Sequence, residues 1–311
     1  MNHLTFSLLS QLTLFQNIST KNPLAGQLFV TLTSVMLITA AVCFVISEIT
    51  RNYSQVDKIW SIMPIVYSLI TLSNSPDSPR IWLMTFLVNL WGVRLSYNFH
   101  RKGGYNIVPW KGEEDYRWSV LRQNPALKGI RFTLFNFFFI SLYQLFLILL
   151  FCMPLVVAVE YSNVSLNFID LLATILMASF ILLETIADNQ LFEFHLLKKQ
   201  KVETDGRFSL SLKNGFMSDG LWKYVRHPNF IGEQLTWVFF YLFGVAASGQ
   251  WINWTLSGPI LLILLFVGSS DFTESISLKK YPLYDEYRET VPRYFPFKKI
   301  LKNDYLKINK L

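Results

Sequence analysis

Residues 28–47 read LFVTLTSVMLITAAVCFVIS, a run without a charged side chain that matches the roughly 20 residues a helix needs to cross a ~30 Å hydrocarbon layer. Six further stretches match or approach it, at 56–72, 80–99, 131–159, 166–194, 229–248 and 251–271. One of them, FTLFNFFFISLYQLFLILLFCMPLVVAV over 132–159, is long enough to tilt. Composition agrees: 52% of the 311 residues are apolar and 16% are charged, where soluble domains average about 25% charged. That surplus exceeds what one water-soluble core could bury. The expected fold is an all-α integral membrane protein with about seven transmembrane helices.

Charge sets the orientation. Three regions, 101–131, 198–226 and the stretch from 279 onward, hold 23 of the 28 Lys and Arg residues. The turns between the other helix ends, 73–79, 160–165 and 249–250, hold none. By the positive-inside rule the basic regions are cytoplasmic, which places the N-terminus outside and the C-terminus inside. The net charge of +7 therefore belongs to membrane edges, so the bilayer is the expected partner and nucleic acid is not.

The expected organisation is an interfacial segment over 1–27, a single membrane domain over 28–297 and a basic cytoplasmic tail over 298–311. The leading HLTFSLLSQLTLF lacks the basic start of a signal peptide. No internal repeat is visible. Cys43 and Cys152 each lie in an apolar run and read as core residues. The four histidines fall at no metal-ligand spacing, and no nucleotide-binding glycine motif is present.

Ionisable side chains at membrane depth are costly and mark candidate sites. In LLETIADNQLFEFHLLKK, over 182–199, Glu184, Asp188 and His195 fall on one helical stripe. In MTFLVNLWGVRLSYNFHRKGG, over 84–104, Arg94, Asn98 and Arg101 share a face with Tyr97 beside them, and all can donate to phosphate or carbonyl oxygen. In GLWKYVRHPNFIGEQLTW, over 220–237, Pro228 predicts a helix start, because its missing N–H would be unpaired there anyway. Arg226, His227 and that helix start make an anion site at the cytoplasmic boundary. Glu233 then sits inside the membrane, with Asn229 one turn before it and Trp237 one turn after it.

GLWKYVRHPNFIGE, with Glu184-x-x-x-Asp188 upstream and YDEYRETVPRYFP downstream, resembles the steroid 5-alpha-reductase superfamily across roughly residues 55 to 297. The resemblance implies a membrane reductase of enone or sterol C=C bonds that takes NADPH inside the bundle. It implies a cofactor contacted by Arg94, Glu184, Asp188, His195 and Asn229, to which the helix faces and the anion site read above add Asn98, Arg101, Arg226 and His227. Trp237 would line the substrate cavity. Glu233, Tyr97 and Asp57 would be the catalytic groups, with Tyr97 or a neutral Glu233 donating a hydrogen bond to the charge that develops on the substrate carbonyl.

One stretch departs from the reductases: VGSSDFTESISLKKY, over 267–281, lacks their cofactor-binding Arg, His and Tyr. A sister branch, the isoprenylcysteine carboxyl methyltransferases, shares an R-H-P element and a Y-x-x-Y-x-x-x-V-P tail but binds S-adenosylmethionine, so methyl transfer is the alternative. A proton-coupled transporter is the non-enzymatic alternative, opposed by the lack of paired broken helices. The expected location is a bacterial inner membrane or the endoplasmic reticulum, and the expected substrate is a small lipophilic molecule.

Overall fold

The computed structural model describes residues 22–108, 110–201 and 206–296. Among these the chain is helical throughout, without a strand. The main rods are α1 (Pro23–Thr50), α2 (Ile62–Asn74), α3 (Pro79–Arg101), α4 (Ile130–Glu160), α5 (Phe168–Gln200), α6 (Pro228–Ser248) and α7 (Ser257–Lys280). Helices α1, α4, α5 and α6, and α7 with its preceding turn (Trp254–Lys280), make five that are long and apolar enough to cross a membrane.

Local chemistry explains where the rods begin. Asn22 caps α1 by accepting from the Leu24 N–H at 3.0 Å, and Pro23 follows at the first helical position. Ser78 and Pro79 repeat that arrangement on α3. Asn167 and Asp170 close a reciprocal capping box at the start of α5. Helix α6 starts at Pro228, as its sequence predicts, and ends at Gly249, whose φ of 71° suits a residue without a Cβ.

Three boundaries differ from the hydropathy reading. Helix α1 starts at Pro23, so residues 23–27 belong to it, while 1–21 and the basic tail from 298 lie outside the described residues. The second stretch breaks after a short helix, Gln55–Ile59, leaving α2 with 13 residues, or about 20 Å of rise. Helix α4 contains a π-helical stretch, Asn136–Tyr143, and breaks at Met153 before Pro154, which cannot donate to the helix ladder.

The outer faces of α1 and α5 are apolar, with Val42, Val45, Ile49, Leu171, Ile175 and Leu182 all exposed. The interior is polar at defined points. At the α3 start, Arg80 and Asp170 pair at 2.8 Å with both side chains 2% exposed, and Arg80 also donates to the carbonyls of Val164 and Ser165. That network ties the α2–α3 turn to the α4–α5 turn. Helices α5 and α6 pack tightly because Gly232 faces Glu184: a Cβ at Gly232 would stand 2.5 Å from the Glu184 Cβ.

Candidate functional site

Helices α3, α5 and α6 meet around Arg94. Its Nη2 lies 2.7 Å from Glu184 Oε2 and its Nη1 2.8 Å from Asp188 Oδ2, so one guanidinium bridges two acids one turn apart on α5. Both acids are buried. Asn229, in the first turn of α6, donates Nδ2 to Asp188 Oδ1 at 3.5 Å, and Lys102 Nζ stands 3.9 Å from the same oxygen. Arg94 Nε and Asn229 Oδ1 are buried without a hydrogen-bond partner. A buried unpaired donor and acceptor beside two acids call for a partner, whether a water, an ion or a polar ligand.

One turn further along α6, Glu233 is enclosed by indoles. Trp91 Nε1 donates to Oε2 at 2.7 Å, while Trp237 Nε1 and Trp60 Nε1 donate to Oε1 at 3.3 and 3.4 Å. An indole can only donate, so the carboxyl is an acceptor on both oxygens. The donor role expected of Glu233 requires its protonated form, which keeps one O–H to donate beside these accepted bonds. Trp237 is fully buried, 4.0 Å from the Phe151 ring centroid and 4.8 Å from that of Trp91, and forms part of an aromatic wall instead of lining an open cavity.

The other expected residues divide. Asn98 is buried and accepts from Arg101 Nε and Nη2 at 3.0 and 2.7 Å, while Arg101 Nη1 donates to Asn189. His195 is exposed on α5, with Lys102, Lys198 and Lys280 as the cations near it. Lys198 itself is engaged by the carbonyl of Gly215 and by Tyr281 Oη.

Three expectations are corrected. Tyr97 is 64% exposed, because the helix turn that aims Trp91 and Asn98 inward turns Tyr97 outward. Asp57 accepts from Trp118 Nε1 at 2.9 Å and sits with Ser54, Asp115 and Arg117 around the loop between α3 and α4. Arg226 and His227 do not form an open anion site. Arg226 Nε pairs with Glu274 Oε1 at 2.9 Å, and its Nη1 donates to the carbonyls of Arg288 and Val291. His227 Nε2 lies 2.8 Å from the same Glu274 oxygen, and burial holds this imidazole below its usual range.

Sequence reasoning missed Glu274, Trp60 and Trp91. Glu274 lies in the stretch that departs from the reductases, and it gathers Arg226, His227 and Arg293, the last at 3.2 Å. The signal for Trp91 was available: it precedes Arg94 by three residues, which is one helical turn.

A polar cluster enclosed by helices, five of them long and apolar enough to cross a membrane, defines the class: a helical protein of membrane type. The chain belongs to the family described as "Protein of unknown function (DUF1295)", whose model matches residues 43–291. It is similar to the "Uncharacterized protein C594.04c" of Schizosaccharomyces pombe (strain 972 / ATCC 24843), with 38% identity over 262 residues, covering 81% of this chain and 74% of the relative. No solved structure matches.

Proposed function

We propose that this chain is a seven-span membrane oxidoreductase of the steroid 5-alpha-reductase type, with its N-terminus outside and its C-terminus in the cytoplasm. It reduces the activated C=C bond of a lipophilic enone with NADPH. The observation that supports this reading is the buried Arg94–Glu184–Asp188–Asn229 cluster with its unpaired Arg94 Nε and Asn229 Oδ1. An unpaired donor, an unpaired acceptor and two acids fit the hydroxyl and amide groups of a nucleotide cofactor. Lys102 and His195 are the residues that would meet its phosphates, because Arg226, Lys198 and Arg101 are already engaged.

When bound, the reduced nicotinamide supplies a hydride. The protein's own residues orient the cofactor, exclude water and donate to the substrate carbonyl. Tyr67 replaces Tyr97 as the candidate donor. Its ring is fully buried and its hydroxyl has no partner. It lies on α2, whose start follows directly on Trp60 and Ser61.

Purified protein supplied with NADPH and a panel of steroid and isoprenoid enones is expected to consume NADPH, followed by loss of its near-ultraviolet absorbance. Tyr67→Phe should lower the turnover about a hundredfold to a thousandfold, the usual cost of one donor aimed at developing charge, and leave NADPH affinity unchanged. No turnover with any enone would refute the reductase reading. Full activity in Tyr67→Phe would remove Tyr67 from it.

A further inference from the structure

Where α1 ends and α4 begins, the surface carries a notch of about 290 Å³, near the small end of the ~300–1,000 Å³ of ligand pockets. Its walls include Arg51, Arg122, Lys128 and Thr133, and its floor is the edge-to-face pair of Tyr53 and Phe132, with ring centroids 4.7 Å apart. The fold holds these cations in place. Arg51 caps α1 in the left-handed region at φ 57°, and Arg122 lies over the Tyr53 ring at 5.2 Å while donating to the Arg51 carbonyl.

The cations outnumber the acids beside them. Arg51 uses only Nη1, on Glu48 and the Tyr53 hydroxyl, and Arg122 pairs with Glu114. Lys128 has no carboxylate within ion-pair distance among the described residues. From the notch, exposed apolar side chains run one and two turns apart along both helices: Ile49 and Val45 on α1, and Ile130, Leu134 and Phe138 on α4. The notch therefore offers an unneutralised positive charge at the head of an apolar track.

We propose that this notch binds one anionic glycerophospholipid from the bilayer, its phosphate held by Arg51, Arg122 and Lys128 and its acyl chains lying along the α1 and α4 faces. A guanidinium meets phosphate oxygens through two N–H groups, and Lys128 adds a point charge. An apolar track without cations would select no headgroup, and cations without a track would hold any phosphate.

The test is native mass spectrometry of the full chain in detergent, titrated with dioleoyl phosphatidylglycerol or dioleoyl phosphatidylcholine. The wild type should retain phosphatidylglycerol in preference to phosphatidylcholine. A juxtamembrane cation contributes about fivefold in affinity for anionic lipid. Lys128→Gln should therefore weaken phosphatidylglycerol about fivefold, and Arg51→Gln with Lys128→Gln about 25-fold, with phosphatidylcholine unchanged. Arg207→Gln, an exposed cation elsewhere, should leave the preference intact. Lys128 makes no ion pair, so its single variant carries the test if the double variant fails to fold. Equal retention of both lipids by the wild type, or unchanged phosphatidylglycerol affinity in Lys128→Gln, would overturn the proposal. Displacement of the lipid by millimolar inorganic phosphate would also overturn it, because a free anion would then be the ligand.

Discussion

Arg94→Ala is expected to lower the thermal midpoint of the solubilised protein more than any other single substitution at the cluster. Arg94 is the shared counter-ion of Glu184 and Asp188, at 2.7 and 2.8 Å, and Glu233 also feels its charge. Its removal strands two acids that are 4% and 3% exposed, and uncompensated charge at such depth costs about 3–5 kcal/mol. That is a large fraction of the ~5–15 kcal/mol by which whole domains are stable. Replacing all three groups together with apolar residues of similar volume should recover much of the loss, because the acids cause the penalty. Tryptophan fluorescence during heating measures both. A midpoint for Arg94→Ala close to that of the wild type would show that the cluster is hydrated and not buried.

Glu274→Ala is expected to have the second large effect, of a different kind. Glu274 is the one acid that Arg226, His227 and Arg293 share, and the backbone N–H groups of Arg226 and His227 also bond to the carbonyls of Pro292 and Arg293. The carboxylate thus fastens the segment around 288–294 to the start of α6. Its loss leaves the buried Arg226 guanidinium short of a counter-ion, with a cost again of about 3–5 kcal/mol. Limited proteolysis should then cut between Arg288 and Tyr294 well before the membrane helices open. By contrast, the exposed pair Arg207–Glu193 should tolerate alanine, because exposed pairs contribute little. Equal protease resistance of Glu274→Ala and wild type would contradict the fastening.

The helices were readable because a membrane-length apolar run announces itself, and Pro228 marks a start by chemistry alone. The break after Ile59 was not readable, since Trp60 and Ser61 are neither proline nor glycine. At the site, the spacing of Glu184 and Asp188 places them on one stripe, and that stripe does meet Arg94. The partner of Arg226 lies 48 residues away on α7, a choice that only packing makes. The outward turn of Tyr97 depends on the rotation of α3, which no local pattern specifies. The indoles around Glu233 come from three different helical segments, so they too converge only in three dimensions.

The measurement closest to the central claim is equilibrium binding of NADPH, NADH and S-adenosylmethionine to detergent-solubilised full-length protein, for the wild type and Asn229→Ala. Asn229 is the test position because its Oδ1 is buried and unpaired, so a ligand that satisfies it should lose affinity with the amide. A neutral hydrogen bond contributes about 0.5–1.5 kcal/mol, so the expected loss is roughly twofold to tenfold. NADPH should bind saturably and weaken by that factor in Asn229→Ala, with no binding of S-adenosylmethionine. Saturable binding of S-adenosylmethionine with none of NADPH or NADH would contradict the reductase reading.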